Sequence, residues 1–138
     1  MHPTIPTLSI LSVLSCVASD NIDTVTGYVG HTADIKCPYG EAHKAKSKYL
    51  QKGLDTTDNS KSSNSITSGS KLVESVEDEE WTHRGRVSLQ DQKNFNTFTV
   101  TIHNLTLQDA GVYACGVQGM FGDISILTVI VKIAQRLA

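Results

Sequence analysis

Asp109-Ala110-Gly111-Val112-Tyr113-Ala114-Cys115 is the stretch that decides the fold. A tyrosine two residues ahead of a cysteine, after an acidic residue and a glycine, suits the start of an inner strand in a two-sheet sandwich. The phenol turns back to bond nearby backbone, and the sulfur points into the core. Tyr113, Cys115 and Val117 then share one face. Upstream, Ala33, Ile35 and Cys37 alternate with Thr32, Asp34 and Lys36, which is the period of a half-buried strand and aims the Cys37 sulfur inward as well.

The 138 residues suffice for one domain with a real core, and 39% of them are hydrophobic, so the chain is expected to fold. A formal net charge of -2 argues against the broad basic surface that nucleic-acid binding requires. Residues 1–19 contain Ile5, Leu8, Ile10, Leu11, Val13, Leu14 and Val17 and no Lys, Arg, Asp or Glu. With small residues at Ala18 and Ser19, they read as a secretory signal peptide. Its removal takes Cys16 away and leaves Cys37 and Cys115, an even count in an oxidising compartment, where the two can join. They are 78 positions apart, and closing a loop of that length stabilises a fold by roughly 4 kcal/mol in the chain-entropy model. Two widely spaced thiols do not make a zinc site.

Outward from these strands the same period recurs. Asn21 to Val29 reads as an edge segment, Lys71-Leu72-Val73-Glu74 as a short edge strand, and Arg86-Val87-Ser88-Leu89 as another strand ending in a polar turn over residues 90–96. Phe98, Val100, Ile102 and Leu105 stand against Thr97, Thr99, Thr101 and His103 in the clearest alternation of the chain. Residues 55–70, rich in Ser, Thr, Asn and Gly, read as a loop. Glu77-Asp78-Glu79-Glu80 is an acidic run that reads as a solvated turn, and Trp81 after it as a residue packed beside Arg84 and Arg86. Residues 118–123 form a loop with Met120 and Phe121 near its tip, placed either for recognition or for local packing. Ile124 to Ile133, apolar on both faces, is the last strand, with one face free either to meet a partner or to guard an edge.

Taken in order, Val25-Thr26-Gly27, Ile35-Lys36-Cys37-Pro38-Tyr39, Lys48-Tyr49, Lys52-Gly53, Gly85 to Leu89, Phe98 to Ile102, Asn104-Leu105-Thr106 and Asp109 to Gly116 resemble the V-set domains of the polymeric immunoglobulin receptor and the related leukocyte mono-immunoglobulin (CMRF-like) receptors. The resemblance covers residues 24 to 132. It implies an all-β fold, an immunoglobulin V-type antiparallel β-sandwich with one inter-sheet disulfide. The domain is expected over residues 20–134, with 135–138 as a C-terminal remainder. The family's strand pattern Lys-Tyr-Trp-Cys-Lys is departed from here: Leu50 and Gln51 stand at the Trp and Cys positions, and no cysteine lies between Lys52 and Trp81. Leu50 then covers the disulfide with less volume than an indole. The resemblance also implies a structural ion pair between Arg86 and Asp109, with Tyr113 locking the corner.

Lys44, Lys46 and Lys48 fall in the segment that corresponds to the first hypervariable loop, which in the polymeric immunoglobulin receptor contacts antibody. They offer one-sided positive charge to an acidic partner, or simply keep the loop soluble. Asn104-Leu105-Thr106 is a chemically competent glycosylation sequon. His31, His43, His83 and His103 are scattered without metal-ligand spacing, and no nucleophile elbow is present, so neither an enzyme, a metal nor a cofactor is expected. The expected function is an extracellular ligand-binding domain of an innate immune receptor, at the cell surface or secreted. Its loops near Lys44, Asn59 and Phe121 would meet a protein, antibody or lipid ligand, and any membrane anchor or signalling adaptor would lie outside this chain. Capture of polymeric antibody and adhesion through the last strand are the alternatives.

Overall fold

A computed structural model describes residues 21–53 and 70–135. The signal peptide expected at 1–19, nearly all of the loop expected at 55–70 and residues 136–138 lie outside the described residues.

The described chain forms nine strands: β1 (Ile22–Tyr28), β2 (Ala33–Pro38), β3 (Lys48–Lys52), β4 (Lys71–Glu74), β5 (Trp81–Arg84), β6 (Val87–Gln92), β7 (Thr97–Ile102), β8 (Gly111–Gly119) and β9 (Gly122–Ala134). They make two sheets, one ordered β1-β9-β8-β3-β4 and the other β2-β7-β6-β5. Every described pairing is antiparallel except β1 with β9, where Ile22 to Tyr28 run alongside Thr128 to Ala134.

The core is where the period-two residues of the two sheets meet. Ala33, Ile35 and Cys37 from β2, Phe98, Val100 and Ile102 from β7, and Val87 and Leu89 from β6 face Leu50, Tyr113, Cys115, Val129 and Val131. Cys37 and Cys115 are joined, with Cα atoms 6.2 Å apart, so the bridge ties β2 in one sheet to β8 in the other. Leu50 stands in register with Cys115, fully buried beside the disulfide.

Three local expectations change. β6 continues through Gln92, because Gln90, Asp91 and Gln92 pair with Thr99, Phe98 and Thr97, and the turn is confined to residues 93–96, where Asn96 takes a left-handed φ of 51°. The loop at 118–123 shrinks to a two-residue turn, because Gln118 pairs with Asp123 and Gly119 with Gly122. Gly122 has a φ of 132°, open to glycine at little cost. Trp81 begins β5, an edge strand that polar composition concealed. Its ring lies parallel to that of His83, 5.8 Å between centroids, and is about half-exposed.

β9 has β1 and β8 on its two edges; Leu127 and Ile133 continue the inward face of Val129 and Val131, whereas Ile124 is exposed and Ile126 and Ile130 are partly buried.

Candidate functional site

Strand direction gathers four connections at one end of the sandwich: residues 39–47 between β2 and β3, 75–80 between β4 and β5, 93–96 between β6 and β7, and the Met120–Phe121 turn. Hydrogen bonds knit them together. Ser47 C=O accepts from the Gln118 N–H at 2.9 Å, Lys48 C=O from the Ser75 N–H at 2.7 Å, and Tyr39 and Asn96 are joined through N–H and C=O at 2.9 Å. Asn96 Nδ2 donates to Glu41 Oε1 at 3.1 Å, and Gln118 Nε2 donates to Glu74.

The scaffold beneath this end is an internal ion pair. Lys48 Nζ lies 2.7 Å from Asp91 Oδ2, with the two side chains 0% and 3% exposed. The same ammonium donates to the Lys44 carbonyl at 3.0 Å and the Lys46 carbonyl at 2.6 Å, and sits 4.4 Å from the Tyr39 ring centroid. Tyr39 donates its hydroxyl to Asp91 Oδ1 at 2.7 Å. Burial pulls the Lys48 ammonium below the ordinary lysine range, with Asp91 opposing, while burial and Asp91 together push the Tyr39 phenol up. Lys48 is therefore a strut that pins the 39–47 loop to the core. The expected series of three outward lysines does not exist, because one of them faces in.

The other two lysines have local partners. Lys44 Nζ pairs with Glu41 at 3.3 Å, and Lys46 Nζ donates to His43 Nδ1 at 3.2 Å. Met120 and Phe121, by contrast, touch little: they are 86% and 97% exposed at the hairpin tip.

At the opposite end, Arg86 donates from both terminal nitrogens to Asp109, at 2.9 and 3.0 Å, and from Nη1 to the carbonyls of His103 and Asn104. Asp109 also accepts from the Thr106 N–H at 2.8 Å, and Tyr113 donates its hydroxyl to the Asp109 carbonyl at 2.6 Å. The Arg86 guanidinium holds the Asp109 carboxyl below its usual range, against burial. Burial pushes Tyr113 up to about 12. Asn104 is exposed beside this cluster in a left-handed conformation, φ 53°.

Comparison with known proteins agrees with this sandwich fold. The immunoglobulin V-set domain model matches residues 21–132. The chain belongs to the immunoglobulin V-set family. It is 40% identical over 101 residues to CMRF35-like molecule 6 of Mus musculus, covering 72% of this chain and 39% of that protein. It is 32% identical over 114 residues to CMRF35-like molecule 2 of Homo sapiens, covering 83% and 51%. The chain thus spans about half or less of the length of these curated relatives. Among solved structures, the first immunoglobulin domain of the mouse polymeric immunoglobulin receptor superposes with a TM-score of 0.61 at 24% identity, over 84% of this chain and 93% of that one, a likeness of fold.

Within the V-set frame, sequence reasoning missed the Lys48–Asp91 pair. The signal was available in two places. Lys48 is two residues before core Leu50, and Asp91 continues the Val87, Leu89 alternation, so both charges fall on inward positions. Among the described residues no cluster of His, Cys, Asp or Glu is arranged to hold a metal ion.

Proposed function

We propose that this V-set domain is the extracellular ligand-binding domain of an immune receptor, and that the end formed by residues 39–47, 75–80 and 119–122 meets the ligand. The observation that carries this reading is the Met120–Phe121 tip. Two large apolar side chains lie almost wholly in water at the end of a well-paired hairpin, where they contribute little to the core. Similarity to CMRF35-like molecules supports the receptor assignment, and the bridged cysteines suit an oxidising extracellular setting. The mechanism is recognition: the disulfide and the Lys48 strut hold the loops, and the tip supplies an apolar anchor.

The test is staining of a leukocyte and epithelial cell panel with the tetramerised full chain secreted from mammalian cells. Phe121→Ser is expected to remove staining while leaving the melting temperature unchanged. Staining that persists undiminished in Phe121→Ser overturns the assignment of this end as the ligand surface.

A further inference from the structure

The apolar tip does not stand alone. Val76, in the β4–β5 connection, is also more than half exposed. A cleft of about 380 Å³ runs behind it, lined by Lys46, Ser47, Ser75, Val76, Glu77 and Glu79 among others. Ser47, in the wall of this cleft, is also the residue whose carbonyl receives the Gln118 N–H at the base of the hairpin, so the cleft and the Met120–Phe121 tip lie at the same end of the sandwich.

The charge around this surface has a clear sign. Of the lysines at this end, Lys71 lies between Asp123 at 3.0 Å and Glu74 at 3.7 Å, Lys44 pairs with Glu41, Lys48 is sealed against Asp91, Lys93 is half-exposed 4.0 Å from Asp91 and Lys46 bonds His43, so the five lysines are outnumbered by the carboxylates of Glu41, Glu74, Glu77, Asp78, Glu79, Glu80, Asp91 and Asp123. Glu77, Asp78 and Glu79 form no ion pair with any described residue, and the Glu80 carboxylate accepts from the neutral Gln90 amide. The positive loop suggested by the lysine spacing is therefore, once folded, a negatively charged end. An anionic lipid surface is repelled by such a rim, whereas a cationic segment is drawn to it.

We propose that this end of the domain docks a segment of a partner protein that is rich in lysine or arginine and carries an apolar side chain, which Met120 and Phe121 cover while Glu77, Asp78 and Glu79 receive the cations. This rests on the loop end being the ligand surface. The exposed carboxylates steer and orient the partner, and burial of Phe121 supplies most of the affinity.

Isothermal titration of the full chain tests it with three probes. These are a 15-residue peptide of alternating lysine and leucine, the same peptide with glutamate in place of lysine, and vesicles of phosphatidylcholine with phosphatidylserine. The lysine peptide is expected to bind, more weakly as salt rises. Phe121→Ser should weaken it about ten- to hundredfold, and the double variant Glu77→Lys, Glu79→Lys should remove most of the salt dependence. Unchanged melting temperatures establish that both variants fold. Binding to the phosphatidylserine vesicles that depends on Phe121 overturns the cationic partner and leaves the loop end as the ligand surface. Absence of lysine-peptide binding, or equal binding of the glutamate peptide, also overturns it. If Phe121→Ser changes neither peptide binding nor cell staining, the loop-end reading falls as well.

Discussion

Lys48→Met keeps an unbranched stem of similar length and deletes one ammonium from the interior. In the native domain that ammonium is 2.7 Å from Asp91 Oδ2 and also bonds the Lys44 and Lys46 carbonyls. After the substitution the Asp91 carboxylate, only 3% exposed, retains the Tyr39 hydroxyl at 2.7 Å and the distant Lys93 ammonium at 4.0 Å. Removing one partner of a buried pair costs about 3–5 kcal/mol, because the survivor stays desolvated without its counter-charge. The two carbonyls add little, since they belong to a half-exposed loop where water replaces the lost donor. Lys48→Met with Asp91→Leu removes both charges, and should recover most of the loss, remaining about 1–2 kcal/mol below wild type for the stranded Tyr39 hydroxyl. Equilibrium urea unfolding of the oxidised protein reads this directly. With a slope near 1.5 kcal/mol/M, typical for a domain of this size, the single variant lowers the midpoint by roughly 2–3 M. A loss below about 1 kcal/mol in the single variant, or a double variant no more stable than the single, refutes the strut.

Other consequences follow from the same geometry. The folded pKa of Asp109 is depressed, so its contribution is complete above the ordinary carboxylate range and drains away as pH falls through the lowered folded value. Stability measured from about pH 6 down to about pH 2 should therefore fall in wild type, with a flatter acid limb in Asp109→Asn. Identical limbs would remove Arg86–Asp109 from the account. Gly116→Ala places a methyl group against the Tyr49 ring and 2.7 Å from the Ile124 carbonyl oxygen, which is backbone and cannot swing away. It should cost about 1–3 kcal/mol by thermal melting, and a neutral result would mean that β8 and β9 part more easily than their ladder implies. Asn104 is expected to carry a glycan at the end away from the loops. Peptide-N-glycosidase should shift the mass of the mammalian-secreted chain and leave Asn104→Gln unchanged.

The fold was legible because its signals are short and local. Period-two alternation through Ala33, Ile35 and Cys37, and through Phe98, Val100 and Ile102, assigns faces without reference to any other strand. The Tyr113–Cys115 spacing then orients one of those faces, and resemblance extends the pattern across the domain. β5 and the end of β6 escaped because Trp81 to Arg84 and Gln90 to Gln92 are polar, and only their ladder partners reveal them as strands. The candidate site was legible in part: Phe121 and Met120 stand out as apolar residues in a glycine-flanked turn, whatever the surroundings.

Sequence alone determined the alternating faces, the cysteine pair, the corner tyrosine and the apolar tip, since each depends on residues within a few positions of one another or on a simple count. Tertiary structure decided the charge of the loop end. Lys48 and Asp91 are 43 positions apart, and only the packing of β3 against β6 brings their charges together and removes them from the surface. Lys71 meets Asp123 by the same kind of long-range approach. A lysine's position in the chain states its charge, but whether that charge faces solvent or is cancelled inside depends on which strands fold beside it.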